Sequence, residues 1–127
     1  AAGLACENGI TVDEGTRTSA SHIYAIGDCT NRPKPGLGRR LRLESVPNAR
    51  DQARVADKNI CGGNARYDAV PWFWSDQYDL KLQMVGFSGE AEEDVLRGDP
   101  DSGAFARFYL KGGRSFCMAF GCRRASP

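Results

Sequence analysis

The 127-residue chain carries a single histidine, His22. That removes the His-based metal sites and the histidine-centred nucleophilic triads from consideration. No apolar run approaches the roughly 20 residues that cross a bilayer. No Gly-x-Gly-x-x-Gly dinucleotide fingerprint occurs. There is no excess of one charge sign: 17 basic residues against 16 acidic ones leave a net charge of +1. Nothing global therefore points to nucleic acid or a membrane surface. The five cysteines (Cys6, Cys29, Cys61, Cys117 and Cys122) are scattered and odd in number, which argues against a disulfide framework and for reduced thiols in the cytoplasm. The first residues lack an initiating Met, a basic n-region and an apolar h-region, so no secretory signal is read there and the chain is expected to be a piece of a longer one. With so few reactive side chains, any chemistry falls to a cofactor.

What is present is ordinary in bulk, with 41% hydrophobic and 26% charged residues, and concentrated in one place. Pro71-Trp72-Phe73-Trp74-Ser75-Asp76-Gln77-Tyr78-Asp79 holds four aromatics, including both tryptophans. In an extended strand Trp72 and Trp74 share a face, because side chains alternate with period two. Two indoles on one face form either a core surface or a wall for a planar ligand. On this stretch alone packing is the better reading.

Upstream, Gly9 to Thr18 alternates apolar and polar residues and reverses at Asp13-Glu14-Gly15, which reads as a short strand and a turn. Ser19 to His22 is a polar connector. Ile23-Tyr24-Ala25-Ile26 is short, continuous and rich in strand formers, the pattern of a buried parallel strand. It stops at Gly27-Asp28-Cys29. A glycine at a strand's carboxyl end lets backbone approach a ligand, and a neighbouring carboxylate accepts hydrogen bonds from hydroxyls. Gly-Asp is equally a common turn pair.

Thr30 to Arg42 reads as a loop rich in Pro, Gly and Arg, with five basic residues and no acid. Such clusters are usually solvated surface, and the sharper expectation is a patch that steers an acidic protein partner. Ala49 to Cys61, introduced by Pro47 and closed by Gly62-Gly63, reads as a helix with Ala49, Ala53, Ala56 and Ile60 on its inner face. Its amino end offers N–H groups and a partial positive charge. Beyond Gly62-Gly63 the chain turns strand-rich. Strands are expected at Trp72–Trp74, Asp79–Phe87, Val95–Pro100, Phe105–Leu110 and Arg114–Phe120, the last two joined by a Lys111-Gly112-Gly113 hairpin. Close spacing favours an antiparallel meander.

Several of these stretches, in this order, resemble one family. Ile23 to Cys29 is similar to the second flavin motif of two-dinucleotide-domain flavoproteins. Leu43-Glu44-Ser45-Val46-Pro47-Asn48-Ala49 followed by Gln52-Ala53-Arg54 resembles the helix start of NAD(P)H-dependent ferredoxin reductases of oxygenase systems. Val70 to Tyr78 resembles the opening of their C-terminal domain, and Arg97-Gly98-Asp99 and Phe108-Tyr109-Leu110 fit its later strands. The resemblance covers about Gly3 to Phe120. Cys117 and Cys122 have the spacing of a flavoprotein redox dithiol but stand at the end of a hairpin strand, so that role is not expected.

The resemblance implies an α+β fragment. Residues 1–66 would be the end of an FAD-binding α/β (Rossmann-like) domain, and residues 67–127 a small, truncated C-terminal domain with an antiparallel sheet. It implies FAD contacts at Gly27 and Asp28 (ribityl and pyrophosphate), at Val46 and Pro47 (pyrimidine edge of the isoalloxazine) and at Trp74, with Trp72 on the same strand face. It implies no metal. The reaction would be electron transfer from NAD(P)H through FAD to a ferredoxin-type iron–sulfur protein, with Arg39, Arg40 and Arg42 as docking residues. Lacking both fingerprints, this stretch alone is expected to be inactive. Gly121 to Pro127 departs from the family's Asn-Arg-Pro-like continuation. The alternatives are a rubredoxin- or nitrite-reductase-linked NADH flavoprotein, a relative of the apoptosis-inducing-factor type, and a non-catalytic interaction module.

Overall fold

The structure is a computed structural model that describes residues 2–123. The chain divides into two compact units, one ending at Ala69 and the other beginning at Val70. Among the described residues no helix is long and apolar enough to cross a membrane.

The first unit holds a three-stranded sheet and one long helix. β1 (Ile10–Thr11) pairs in parallel with β2 (Thr30–Lys34), and β2 pairs antiparallel with β3 (Arg39–Arg42). The reversal after β1 is fixed by the Asp13 carboxylate, which accepts the backbone N–H groups of Gly15 and Arg17 at 2.8 Å each. This is the usual local chemistry of an aspartate at a turn. Val12, Ala56 and Tyr67 are the buried hydrophobic residues of this unit among those described.

Two expectations are corrected here. Thr30 to Arg42 is a β-hairpin rather than a loop. A turn of 3-10 helix over Pro35–Leu37 reverses the chain, and Gly38 takes the left-handed conformation at φ 61° that the reversal needs. Ile23 to Ile26 does not form a parallel strand. Among the described residues its ladder contact is one antiparallel bridge, Tyr24 to Arg17, supported by the Ala25 N–H donating to Thr16 O at 3.1 Å. A buried strand needs neighbours on both edges, and this segment meets one.

α1 spans Val46–Ile60, with Ser45 as N-cap accepting the Asn48 N–H and Pro47 in the first turn. Its inner face differs from the expected alanine stripe. Pro47, Asn48, Gln52, Ala56 and Asn59 are the buried positions, whereas Ile60 is 65% exposed. The helix is tied down by amides that find partners as much as by apolar contact.

The second unit is a five-stranded antiparallel sheet. Its strands are β4 (Trp72–Gln77), β5 (Leu80–Gly86), β6 (Glu93–Asp99), β7 (Ala104–Lys111) and β8 (Arg114–Arg123). The order is β4-β5-β8-β7-β6. It is not the expected meander: β8 inserts beside β5, and the β5–β6 connection crosses to the far edge. β7 and β8 are joined by Gly112-Gly113, both at positive φ, with Lys111 opposite Arg114. Two successive positive φ angles define the hairpin turn whose twist suits antiparallel strands. At Gly121 the ring of Phe105 occupies the space of the missing side chain, so that a Cβ there would stand 2.7 Å from the ring. Cys117 is the buried hydrophobic residue of this unit among those described.

Candidate functional site

Gly27-Asp28-Cys29 forms one turn of 3-10 helix packed against α1. Gly27 is buried at φ 79°, where its missing side chain lets the turn approach the helix; a Cβ would stand 3.4 Å from that of Ala49. Thr30 closes the turn, its hydroxyl donating to Gly27 O at 2.8 Å. The Asp28 residue is exposed, and its carboxylate meets no partner among the described residues. The Arg42 guanidinium reaches the Asp28 backbone carbonyl at 3.3 Å rather than its side chain. Asp28 is thus free to accept hydrogen bonds from a ligand.

The amino end of α1 is more selective than a generic helix terminus. Pro47 carries no N–H, and the Asn48 N–H is taken by the Ser45 hydroxyl at 3.3 Å. That leaves the Val46 N–H as the first-turn donor without a partner among the described residues. Val46 is 64% exposed, while Pro47 is buried. No acidic residue lies in the first turn, so the helix's partial positive charge there is uncompensated by its own side chains. The structure therefore brings Gly27, Asp28, Val46 and Pro47 into one neighbourhood, a free carboxylate and a free backbone donor flanking a close backbone approach.

Trp72 and Trp74 lie in the second unit. Their rings stack at 5.2 Å between centroids with 28° between planes, and they remain 41% and 38% exposed. Register places Val85 opposite Trp72 and Gln83 opposite Trp74. Stacked rings this open make a surface, not a core.

The three arginines separate. Arg39 is exposed. Arg42 forms an ion pair with Glu44 at 2.7 Å. Arg40 donates through one nitrogen to Val12 O at 2.6 Å and to Asn31 O, which ties β3 to the strand beside it. A polar cleft of about 470 Å³ lies nearby, lined in part by Asp13, Glu14, Arg40 and Arg66. Its Glu14–Arg66 pair is already closed at 3.0 Å. Sequence reasoning gave no role to Gln52, whose buried side chain lies behind the Gly27 turn; the signal was its place four residues after Asn48 on one helix face.

Cys117 and Cys122 are five residues apart on β8, an odd interval that puts them on opposite faces of the sheet. All five cysteines are free thiols.

Two family models match the chain. Residues 1–53 match pyridine nucleotide-disulphide oxidoreductase, and residues 72–120 match reductase C-terminal. The ferredoxin reductase subunit of 5,5'-dehydrodivanillate O-demethylase from Sphingobium sp. is 52% identical over 113 residues, which cover 88% of this chain and 27% of that protein. The crystal structure of the ferredoxin reductase for the CYP199A2 system from Rhodopseudomonas palustris superposes with a TM-score of 0.87 at 42% identity, over 94% of this chain and 30% of that one. The covalent putidaredoxin reductase–putidaredoxin complex gives 0.84 at 42% identity, over 94% and 29%. The chain spans a little over a quarter of the length of the first of these relatives. The first part of the chain is thus similar to pyridine nucleotide-disulphide oxidoreductases and the second to the reductase C-terminal family, in the same order along the ferredoxin reductases that the chain resembles.

Proposed function

We propose that the protein containing this chain is an FAD-dependent oxidoreductase that passes electrons from NAD(P)H through FAD to a ferredoxin-type iron–sulfur protein. The observation that carries the reading is the pairing of the Gly27–Asp28 turn with the amino end of α1, one offering a free carboxylate and the other an unpartnered Val46 N–H.

The residues present suit a flavin nucleotide. Gly27 allows close backbone approach, and Asp28 is exposed to accept from hydroxyls of the ribityl chain. Val46 presents an exposed N–H donor to the pyrimidine side of an isoalloxazine, and the buried Pro47 beside it fixes the start of the helix. FAD, when bound, supplies hydride acceptance and stepwise electron release. The chain's part is to bind and orient. The positive end of α1 favours the negative charge that a reduced flavin carries near its pyrimidine ring, and it does so through a fixed dipole that needs no reorganisation. We propose Trp74 as a separate contact for the planar ring system, because its indole is exposed and held in place by Trp72.

A ferredoxin-type partner is supported by the relatives, one of which was crystallised covalently joined to putidaredoxin. For docking, Arg39 is the residue proposed to present free charge, while Arg42 is paired with Glu44 and Arg40 is engaged by two backbone carbonyls. In the full-length protein, a yellow preparation bleached anaerobically by NADH or NADPH and reoxidised by a ferredoxin is the expected result. A colourless preparation that takes up no FAD overturns the reading. Arg39→Glu is expected to slow ferredoxin reduction and leave reduction of a small dye intact; equal ferredoxin kinetics remove the docking assignment.

A further inference from the structure

Gln52 is the most deeply buried large polar side chain of the first unit, 1% exposed. Its Oε1 accepts from the Gly27 N–H at 2.6 Å and lies 3.0 Å from the Thr30 hydroxyl, whose single proton it shares with Gly27 O. Its Nε2 donates to Asn48 Oδ1 at 3.3 Å, and the Asn48 amide in turn donates to Leu43 O at 2.9 Å. One chain of contacts thus runs from the strand-end turn, through the second turn of α1, to the segment that enters the helix. It joins the two halves of the proposed flavin site through buried contacts, whereas Asp28 and Val46 are exposed.

From this we infer that Gln52 is a positioning residue for the flavin. It sets the spacing between the Gly27–Asp28 turn and the amino end of α1, and it touches neither the ligand nor the reacting atoms. The inference rests on the flavin reading of this site. The physical reason is that Gly27 sits at positive φ with no side chain to anchor it. Its own N–H is the handle by which the turn can be held, and a buried amide oxygen is the acceptor that holds it. An unpaired N–H there would drive the turn toward water and away from the helix. Hydrogen-bonded support of this kind is how ligand-binding groups keep their geometry.

The test uses the full-length protein. Gln52→Met keeps the volume and removes both the acceptor and the donor; Gln52→Glu keeps the acceptor. Asn59→Leu serves as the structural control, since Asn59 is another buried amide of α1, 8% exposed, that binds Gly15 O and Ala65 away from the turn. Three quantities are read: the dissociation constant for FAD, the position of the bound flavin's absorption maximum, and the urea midpoint with flavin removed. Gln52→Met and Asn59→Leu are both expected to lower the midpoint. Only Gln52→Met is expected to weaken FAD, by roughly tenfold or more, and to move the absorption maximum, with Gln52→Glu recovering most of the affinity. Where Gln52→Met does not fold, Thr30→Val removes the hydroxyl shared between Gly27 O and Gln52 Oε1 and is expected to give a smaller weakening in the same direction. The inference is overturned if Gln52→Met binds FAD like the wild type, or if Asn59→Leu weakens FAD as much. Wild-type protein that binds no FAD overturns the flavin reading itself, which separates the two failures.

Discussion

The Arg32 guanidinium lies 4.2 Å from the centroid of the Tyr67 ring, and both residues are buried, at 2% and 5% exposure. Arg32 donates to Pro33 O at 3.3 Å, while its Nε and Nη2 find no partner among the described residues. Burial pulls the Arg32 pKa down, offset by the neighbouring Tyr67 and Asp68, and burial pushes the Tyr67 hydroxyl above its ordinary range. A buried cation that is only partly satisfied contributes little to stability, whereas stripping away its one aromatic cover is costly. Arg32→Met is therefore expected to be neutral or stabilising, and Tyr67→Ala to cost about 3–5 kcal/mol. Urea denaturation of both variants checks this, and a large loss for Arg32→Met contradicts it.

The raised Tyr67 also sets a pH dependence. A tyrosine whose folded pKa exceeds its unfolded value favours the folded state fully while pH stays below the unfolded value. That stability declines as pH rises beyond the ordinary tyrosine range toward the folded value. The urea midpoint is expected to fall in that alkaline window, and Tyr67→Phe is expected to flatten the fall. An unchanged slope in Tyr67→Phe assigns the loss to other groups.

Gly98 is the position in the second unit where backbone geometry admits no side chain. It lies mid-strand in β6 at φ 87°, and a Cβ there would collide with the Ala104 carbonyl and stand 3.0 Å from Phe105 Cα. Neither obstacle is a flexible side-chain end. Gly98→Ala is expected to cost about 2 kcal/mol or more, combining left-handed strain with a steric clash. Gly112→Ala, with open space around its Cβ position, is expected to cost about 1 kcal/mol from its positive φ alone. Thermal denaturation ranks the two, and equal losses refute the steric contribution.

How far these relationships were legible in the sequence depended on how local they were. Pro47 with Gly62 bracketed α1, and Gly112-Gly113 announced its hairpin, because caps and turns are decided by a few adjacent residues. The neighbourhood of Gly27, Asp28, Val46 and Pro47 was legible through resemblance, since its two halves stand some twenty residues apart. Other features were hidden. The basic residues of Thr30 to Arg42 hid a hairpin because its pairing is satisfied across strands, and Arg40 spends its charge on backbone carbonyls. The alanines of α1 drew attention from Asn48, Gln52 and Asn59, whose burial depends on partners far along the chain. The insertion of β8 beside β5 could not be read at all, because strand order is a non-local choice and adjacent strands default to a meander.

The Asp94 carboxylate, on β6, is held by two nitrogens of Arg107 on β7, at 2.8 and 3.1 Å. This bidentate contact holds the carboxyl below the usual carboxylate range. A depressed folded pKa gives stability that is present above the unfolded value and lost as pH falls through the folded one. Because the pair is exposed, the effect on stability is small and screened by salt, so the direct readout is titration. An NMR titration of Asp94 is expected to show a midpoint below that of an unpaired aspartate, with Arg107→Gln returning it to the ordinary range. A midpoint that Arg107→Gln leaves in place contradicts the assignment.

Cys117 and Cys122 offer a sharper contrast than their spacing suggests. Cys117 is buried, and burial pushes its thiol above the ordinary cysteine value, partly offset by a hydrogen bond with the Met118 backbone. Cys122 is exposed on the other face of β8. A thiol reacts as its thiolate, and a buried thiol with a raised pKa reaches that form least. Two cysteines on opposite faces of one strand also cannot approach the Cβ separation of about 4 Å that a disulfide requires. Iodoacetamide is expected to leave Cys117 unmodified under native conditions and to label it once urea unfolds the sheet. Mild oxidation is expected to produce no Cys117–Cys122 linkage on peptide mapping. Recovery of that linkage from folded protein would require β8 to leave the sheet, and it would restore the redox reading that this strand geometry excludes.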